Sequence, residues 1–223
     1  MRLQIRGISR PKCLGWASML AILFGLGLVD RGAYGEQAAV MPTATEILSA
    51  KLSALQSLSM SYTQFMPTVN ETPKLGMFYL ERSGKFRLES DDQTLVVSDG
   101  ESIWEYDALL QQAKVKTFAS LLDWSPAKVL LMKHSEIDQR FSVLVSEDAE
   151  GQHFSLEPKD PEALIRTLTL SFKANKPSGL RVAPRSGNEV VFALKTEAVN
   201  SVLDTDLFEF NPPAQTDVID FRP

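Results

Sequence analysis

The chain has 223 residues, a formal net charge of −5, two histidines and one cysteine, which is the size of one domain, or of one domain behind a processed leader. Its only cysteine, Cys13, falls in an N-terminal leader, so the remaining chain has no thiol chemistry and no disulfide framework. The acidic balance argues against nucleic acid or an anionic membrane as principal partner.

The start reads as a secretory leader over residues 1–35. Arg2, Arg6, Arg10 and Lys12 form a basic head, Cys13 to Val29 is apolar, and Ala33-Tyr34-Gly35 places small residues before a cut between Gly35 and Glu36. A membrane anchor is the alternative, but Gly15, Gly25 and Gly27 interrupt the run, which only approaches spanning length. Cleavage removes five of the 23 basic residues and one of the 28 acidic ones, leaving residues 36–223 as a single domain with a net charge of −9.

Thr43 to Glu46 fits a capping box, and Leu48, Leu52 and Leu55 recur at helical spacing behind it, so a helix is expected from about Thr45 to Ser57. Alternating runs then predict strands over Met60–Met66, Leu75–Arg82, Lys85–Ser90, Gln93–Ser98, Ser102–Asp107 and Gln111–Lys116, with Asp99-Gly100 the strongest hairpin signal. Phe118 to His134 changes to helical spacing, opened by Ser125-Pro126 as cap and first-turn proline. Its Leu121, Leu122, Trp124, Val129 and Leu130 require an apolar surface beneath them, as a packed helix or as a lid. Strands resume over Phe141–Ser146, Gln152–Glu157, Leu164–Phe172, Leu180–Ala183 and Val190–Glu197, and Phe208 and Phe210 are expected on a last short strand before Pro212-Pro213. The fold class is mainly β with an α lid: an incomplete antiparallel barrel of about ten or eleven strands whose apolar concave face is covered by helices.

Reactive chemistry is absent from the pattern. His134 and His153 have no paired-ligand spacing, no nucleophile elbow or phosphate loop occurs, and Asp91-Asp92 and Asp204 with Asp206 sit in turns that favour aspartate, so no catalytic residue, metal or cofactor is expected. Arg82 differs from these. It shares a strand face with Phe78 and Leu80, where a guanidinium either bends into solvent at Ser83-Gly84 or binds the backbone carbonyls of whatever covers that face.

The order Ser61-Tyr62-Thr63-Gln64, Leu80 to Arg87 (LERSGKFR), Leu95 to Asp107 (LVVSDGESIWEYD) and Gln111-Gln112-Ala113, with the ending Phe208-x-Phe210-x-Pro212-Pro213 and Asp217-Val218-Ile219, resembles the LolA family of periplasmic outer-membrane lipoprotein carriers. The resemblance implies a monomeric, non-enzymatic periplasmic carrier. It would receive acylated lipoproteins from an inner-membrane ABC-type exporter, shield their acyl chains and deliver them to an outer-membrane acceptor. Arg82 matches the arginine of the family's Arg-Pro motif, linked to lid closure, and Phe86 matches an aromatic near the cavity mouth. Ser83 departs from the family's proline, and Leu88 stands where an aromatic is common. On this reading Phe78, Leu80, Phe86, Leu88, Trp104 and Tyr106 line the acyl cavity, Leu48, Leu52, Leu55, Leu121, Leu122, Val129 and Leu130 form the lid, and Arg82 is its latch. Strand register decides which of the lining residues point inward. A lipid- or protein-binding regulatory sensor of the same architecture is the alternative function.

Overall fold

A computed structural model describes residues 41–121 and 125–223; the expected leader, its cleavage site and the expected lid residue Leu122 lie outside the described residues. The first helix, α1 (Ala44–Ser53), starts where the capping box places it. Thr43 Oγ1 accepts from Glu46 N at 3.2 Å, and Thr43 N donates to the Glu46 carboxylate at 2.7 Å. It ends four residues before the expected Ser57 because a distant side chain draws the backbone away: Asn200 donates to Ala54 O at 2.9 Å and accepts from Gln56 N at 2.7 Å. Strand β1 therefore begins at Ser57, and not at Met60, and runs to Phe65.

Five more strands succeed it by short connections: β2 (Lys74–Glu81), β3 (Lys85–Ser90), β4 (Thr94–Asp99), β5 (Ser102–Asp107) and β6 (Gln112–Thr117). The hairpin at Asp99-Gly100 forms because Asp99 Oδ1 accepts from Glu101 N and Ser102 N, both at 2.8 Å, while Gly100 takes φ +98°, a region costly for any residue with a Cβ. Gly76 in β2 has a different cause. Tyr62 crosses it to donate to Glu89 O at 3.1 Å, and a Cβ at position 76 would lie 1.9 Å from that same carbonyl.

The stretch expected as one helical segment over Phe118 to His134 holds a 3-10 turn at Phe118–Ser120 and α2 (Pro126–Leu131), and a further helix that the sequence pattern did not place, α3 (His134–Arg140), starts at its end. Met132 and Lys133 separate the two helices with extended ψ angles of 139° and 160°, and the break lets Met132 turn inward and become buried. Helical spacing is blind to such a break when the residue that makes it is itself apolar. Strands β7 (Phe141–Asp148), β8 (Gly151–Pro158), β9 (Ile165–Lys173), β10 (Lys176–Pro184) and β11 (Val190–Val199) complete the second half.

Among the described residues twelve strands form one open sheet in the order β12-β6-β5-β4-β3-β2-β1-β11-β10-β9-β8-β7, one or two more than expected. The unexpected member is β12 (Asp217–Asp220), which pairs parallel with β6; every other pairing is antiparallel. The last strand is not where the sequence pattern places it, around Phe208 and Phe210. Thr205–Phe208 is instead a 3-10 turn opened by Asp204, whose carboxylate accepts from Asp206 N at 3.1 Å, and the two prolines beyond it have no amide to give a ladder.

One core lies between the sheet and its helices. Leu48 and Leu52 of α1, Val129 and Leu130 of α2 and Ile137 of α3 pack with Leu58, Met60, Phe78, Leu80, Phe154, Leu168, Leu170, Leu180 and Phe192 from the sheet, all buried.

Candidate functional site

Strand register fixes the inner face. One cross-strand row runs Leu58, Leu80, Phe86, Ser98, Ile103, Lys116, and the next runs Met60, Phe78, Leu88, Val96, Glu105, Lys114. Over β1 to β4 the rows are almost wholly apolar; they turn charged at β5 and β6. Helix α1 with Leu55, together with α2, packs in one buried cluster with the β1 to β3 part of this floor, and α1 also reaches Phe172 of β9 through Lys51. Beyond them a cavity of about 140 Å³ remains, lined by Phe78, Phe86, Leu88, Val96, Ile103, Leu121, Pro126 and Ala127, with Glu105, Lys116, Ser120 and Ser125 as its polar members. The α2 wall is set by its cap, in which Ser125 Oγ accepts from Lys128 N at 3.3 Å and Pro126 occupies the first turn.

Of the two orientations open to Arg82, the guanidinium takes the inward one. Its Nε donates to Leu55 O at 3.0 Å, Nη1 to Leu130 O at 3.2 Å and Nη2 to Leu52 O. Its backbone amide donates to Gln56 O at 2.8 Å. Leu52 lies in the last turn of α1, Leu55 just beyond its end and Leu130 in the last turn of α2; Leu52 O also accepts from Leu55 N at 3.1 Å, and its second lone pair is open to the guanidinium. The negative ends of both helix dipoles also favour a cation there. Burial lowers the Arg82 pKa, as it must for a charge withdrawn from water, and the three acceptors replace the hydration it loses. One side chain from the sheet thus ties both covering helices.

The residues expected in this site divide. Phe78, Leu80 and Phe86 are buried on the inner face and Leu88 is partly buried there, while Leu48, Leu52, Leu55, Val129 and Leu130 are buried over it and the half-buried Leu121 lines the cavity. Trp104 and Tyr106 must be corrected. They stand on the opposite face, because alternation along β5 points Ile103 and Glu105 inward. Trp104 is paired with Val97 and Val115, and Phe210 packs on both rings at 5.6 and 5.4 Å. Sequence reasoning missed Ile103, Val96 and the α2 residues Pro126 and Ala127 as lining. The signal for Ile103 was its offset of one from Trp104, readable only once β5 was registered against Phe86 through Ser98.

Among the described residues no group of three His, Cys, Asp or Glu converges as a metal site. His153 is held by Asp148 Oδ1 at 3.0 Å and Ser171 Oγ at 2.8 Å, and His134 lies 3.0 Å from Ser49 Oγ. No described helix is long and apolar enough to cross a membrane.

The site is an open sheet with an apolar floor, helices tethered over it and a residual, mainly apolar cavity. The model of the family described as outer membrane lipoprotein carrier protein LolA matches residues 53–211, and the chain belongs to that family, whose members are carriers and not enzymes. The outer-membrane lipoprotein carrier protein of Pseudomonas paraeruginosa is 28% identical over 206 residues, covering 92% of this chain and 96% of that protein. The protein of the same name from Chromohalobacter salexigens is 30% identical over 146 residues, covering 65% and 70%. In fold, the chain is similar to an uncharacterized conserved protein from Thermus thermophilus, with a TM-score of 0.51 at 13% identity over 80% of this chain and 99% of that one.

Proposed function

We propose that this chain is exported by a cleaved leader over residues 1–35 and that residues 36–223 act in the periplasm as a monomeric lipoprotein carrier. It receives cargo from an inner-membrane ABC-type exporter, shields the acyl chains on the floor of Phe78, Leu80, Phe86 and Leu88, and delivers the cargo to an outer-membrane acceptor. Helices α1 and α2 are the lid, with Arg82 as its latch. The observation that carries this reading is the tie from Arg82 to both helix ends across an apolar floor that the helices do not fill.

The energetics are those of an exchange. A cavity of about 140 Å³ is close to the roughly 150 Å³ that admits a benzene, far short of a long acyl chain. Cargo must therefore displace the helices. Burying one long chain is worth on the order of 10 kcal/mol. Uncovering Leu48, Leu52, Val129 and Leu130 costs about 1.5–3 kcal/mol each, or roughly 6–12 kcal/mol together. The two are of similar size, which is what a carrier needs if it is both to load and to let go.

The test is purification of the protein from envelope extract, with identification of co-eluting acylated proteins. Many different lipoproteins, each bound one to one, are expected. A protein that is always unliganded and whose loss leaves lipoprotein sorting intact would overturn the reading, and a single bound regulator would point to a sensor.

A further inference from the structure

The inner face changes character abruptly along its rows. Phe78, Leu88 and Val96 lead directly to Glu105 and then Lys114, and Ile103 stands opposite Lys116. Lys116 Nζ lies 2.6 Å from Glu105 Oε1, both side chains are partly exposed, and both line the cavity beside Ile103 and Leu121. A half-exposed ion pair of this kind contributes little to stability, and two apolar residues would extend the floor. Two lysines facing one glutamate leave this border net positive, and the lysine stem can lie along the apolar wall while its ammonium stays at the edge.

An acyl chain lying on Leu88, Val96 and Ile103 meets this border where its hydrocarbon ends, and in a lipoprotein the hydrocarbon ends in an ester or amide carbonyl, an acceptor without a donor. We infer that Lys116, held in place by Glu105, binds that carbonyl and so fixes how deep the chain is seated. The inference rests on the carrier reading and adds to it a residue that reads the polar end of the acyl group. Lys116 has three ammonium protons, so it can keep Glu105 and still donate to a carbonyl oxygen.

The experiment compares the affinity of the purified protein for a lipopeptide with two ester-linked acyl chains and for its ether-linked counterpart of equal chain length, which lacks the carbonyls. The unaltered protein is expected to prefer the ester by about tenfold, the value of one hydrogen bond to a charged donor at a partly exposed site. In Lys116→Met, which keeps the stem, that ratio falls to near one, and Lys116→Arg retains it. If Lys116 served only to hold the sheet together, both affinities would fall alike and the ratio would survive, which overturns the inference. Equal affinity of the unaltered protein for both lipopeptides also overturns it while leaving the carrier reading intact. Binding of neither lipopeptide removes the carrier reading, and the inference with it.

Discussion

Replacing Arg82 by leucine removes three donors from the carbonyls of Leu52, Leu55 and Leu130 and leaves the helix ends to find water. Each bond from a charged donor is worth roughly 1.5–3 kcal/mol net of solvent exchange. The sum is reduced because the guanidinium is only half-buried and its own desolvation is recovered when it is gone. A loss of about 3 kcal/mol from the closed arrangement is a reasonable figure, equivalent to about a hundredfold shift from closed to open. If the helices compete with acyl chains for one floor, weakening the closed state strengthens cargo binding. Arg82→Leu is therefore expected to bind a lipopeptide more tightly and to release it more slowly to acceptor, by up to about that factor, with Arg82→Lys between the two because an ammonium cannot span three carbonyls. Affinity and off-rate can be read from a fluorescent lipopeptide, with and without acceptor. Unchanged binding and unchanged release would refute the latch.

Two further outcomes separate the faces and the helices of the molecule. Trp104→Ala should lower stability to urea by about 2–4 kcal/mol, since it empties the space beneath Phe210, yet leave lipopeptide affinity as it was; a loss of affinity would mean that the outer face takes part in binding. Glu46 has its pKa lowered, first by the Thr43 amide and then by the Thr43 hydroxyl that donate to it. A carboxylate whose folded pKa is depressed contributes stability above its unfolded pKa and loses it as pH falls through the folded value. Protection of the α1 amides, taken relative to their intrinsic exchange rates, should thus fall as pH drops below the ordinary glutamate value of 4.5, and Glu46→Gln, which can still cap the helix, should flatten that response.

Features decided within a few residues were legible in the sequence. The capping box at Thr43 and Glu46, the cap at Ser125 and the Asp99-Gly100 hairpin each close on contacts at most three residues apart. What was illegible is settled at long range. The end of α1 depends on Asn200, and the inward turn of Arg82 depends on carbonyls of residues 52, 55 and 130. Trp104 illustrates the ambiguity best. Ser102 to Asp107 alternates Ile103 with Trp104 and Glu105 with Tyr106, and either set can face a core when both faces of a sheet are partly covered. Aromatic size favoured the wrong one. The segment that covers the outer face is a hundred residues downstream, and its own conformation, a 3-10 turn and then prolines, does not advertise a sheet beneath it.

The two coverings differ in a way that bears on how the protein works. Over the outer face, Phe210 packs on Trp104 and Tyr106, Arg87 donates to Leu207 O at 3.3 Å, Arg222 lies 6.0 Å from the Trp104 ring, and β12 extends the sheet beyond β6. That covering is aromatic and enters the hydrogen-bond ladder, so lifting it would break both packing and pairing. Over the inner face, the helices contribute aliphatic side chains, make no ladder bonds to the sheet, and are joined to β2 through the side chain and amide of Arg82. Aliphatic packing is replaceable by any hydrocarbon of similar area, because the hydrophobic term has no direction. On the proposed carrier reading the inner covering is the one exchanged for an acyl chain, at nearly constant free energy, while the outer one holds the sheet in shape. On that reading, cargo affinity is set by the directional contacts of the inner side, among them those of Arg82 with the helices, of Asn200 with the end of α1, of Lys51 with Asn175, and those at the charged border of β5 and β6.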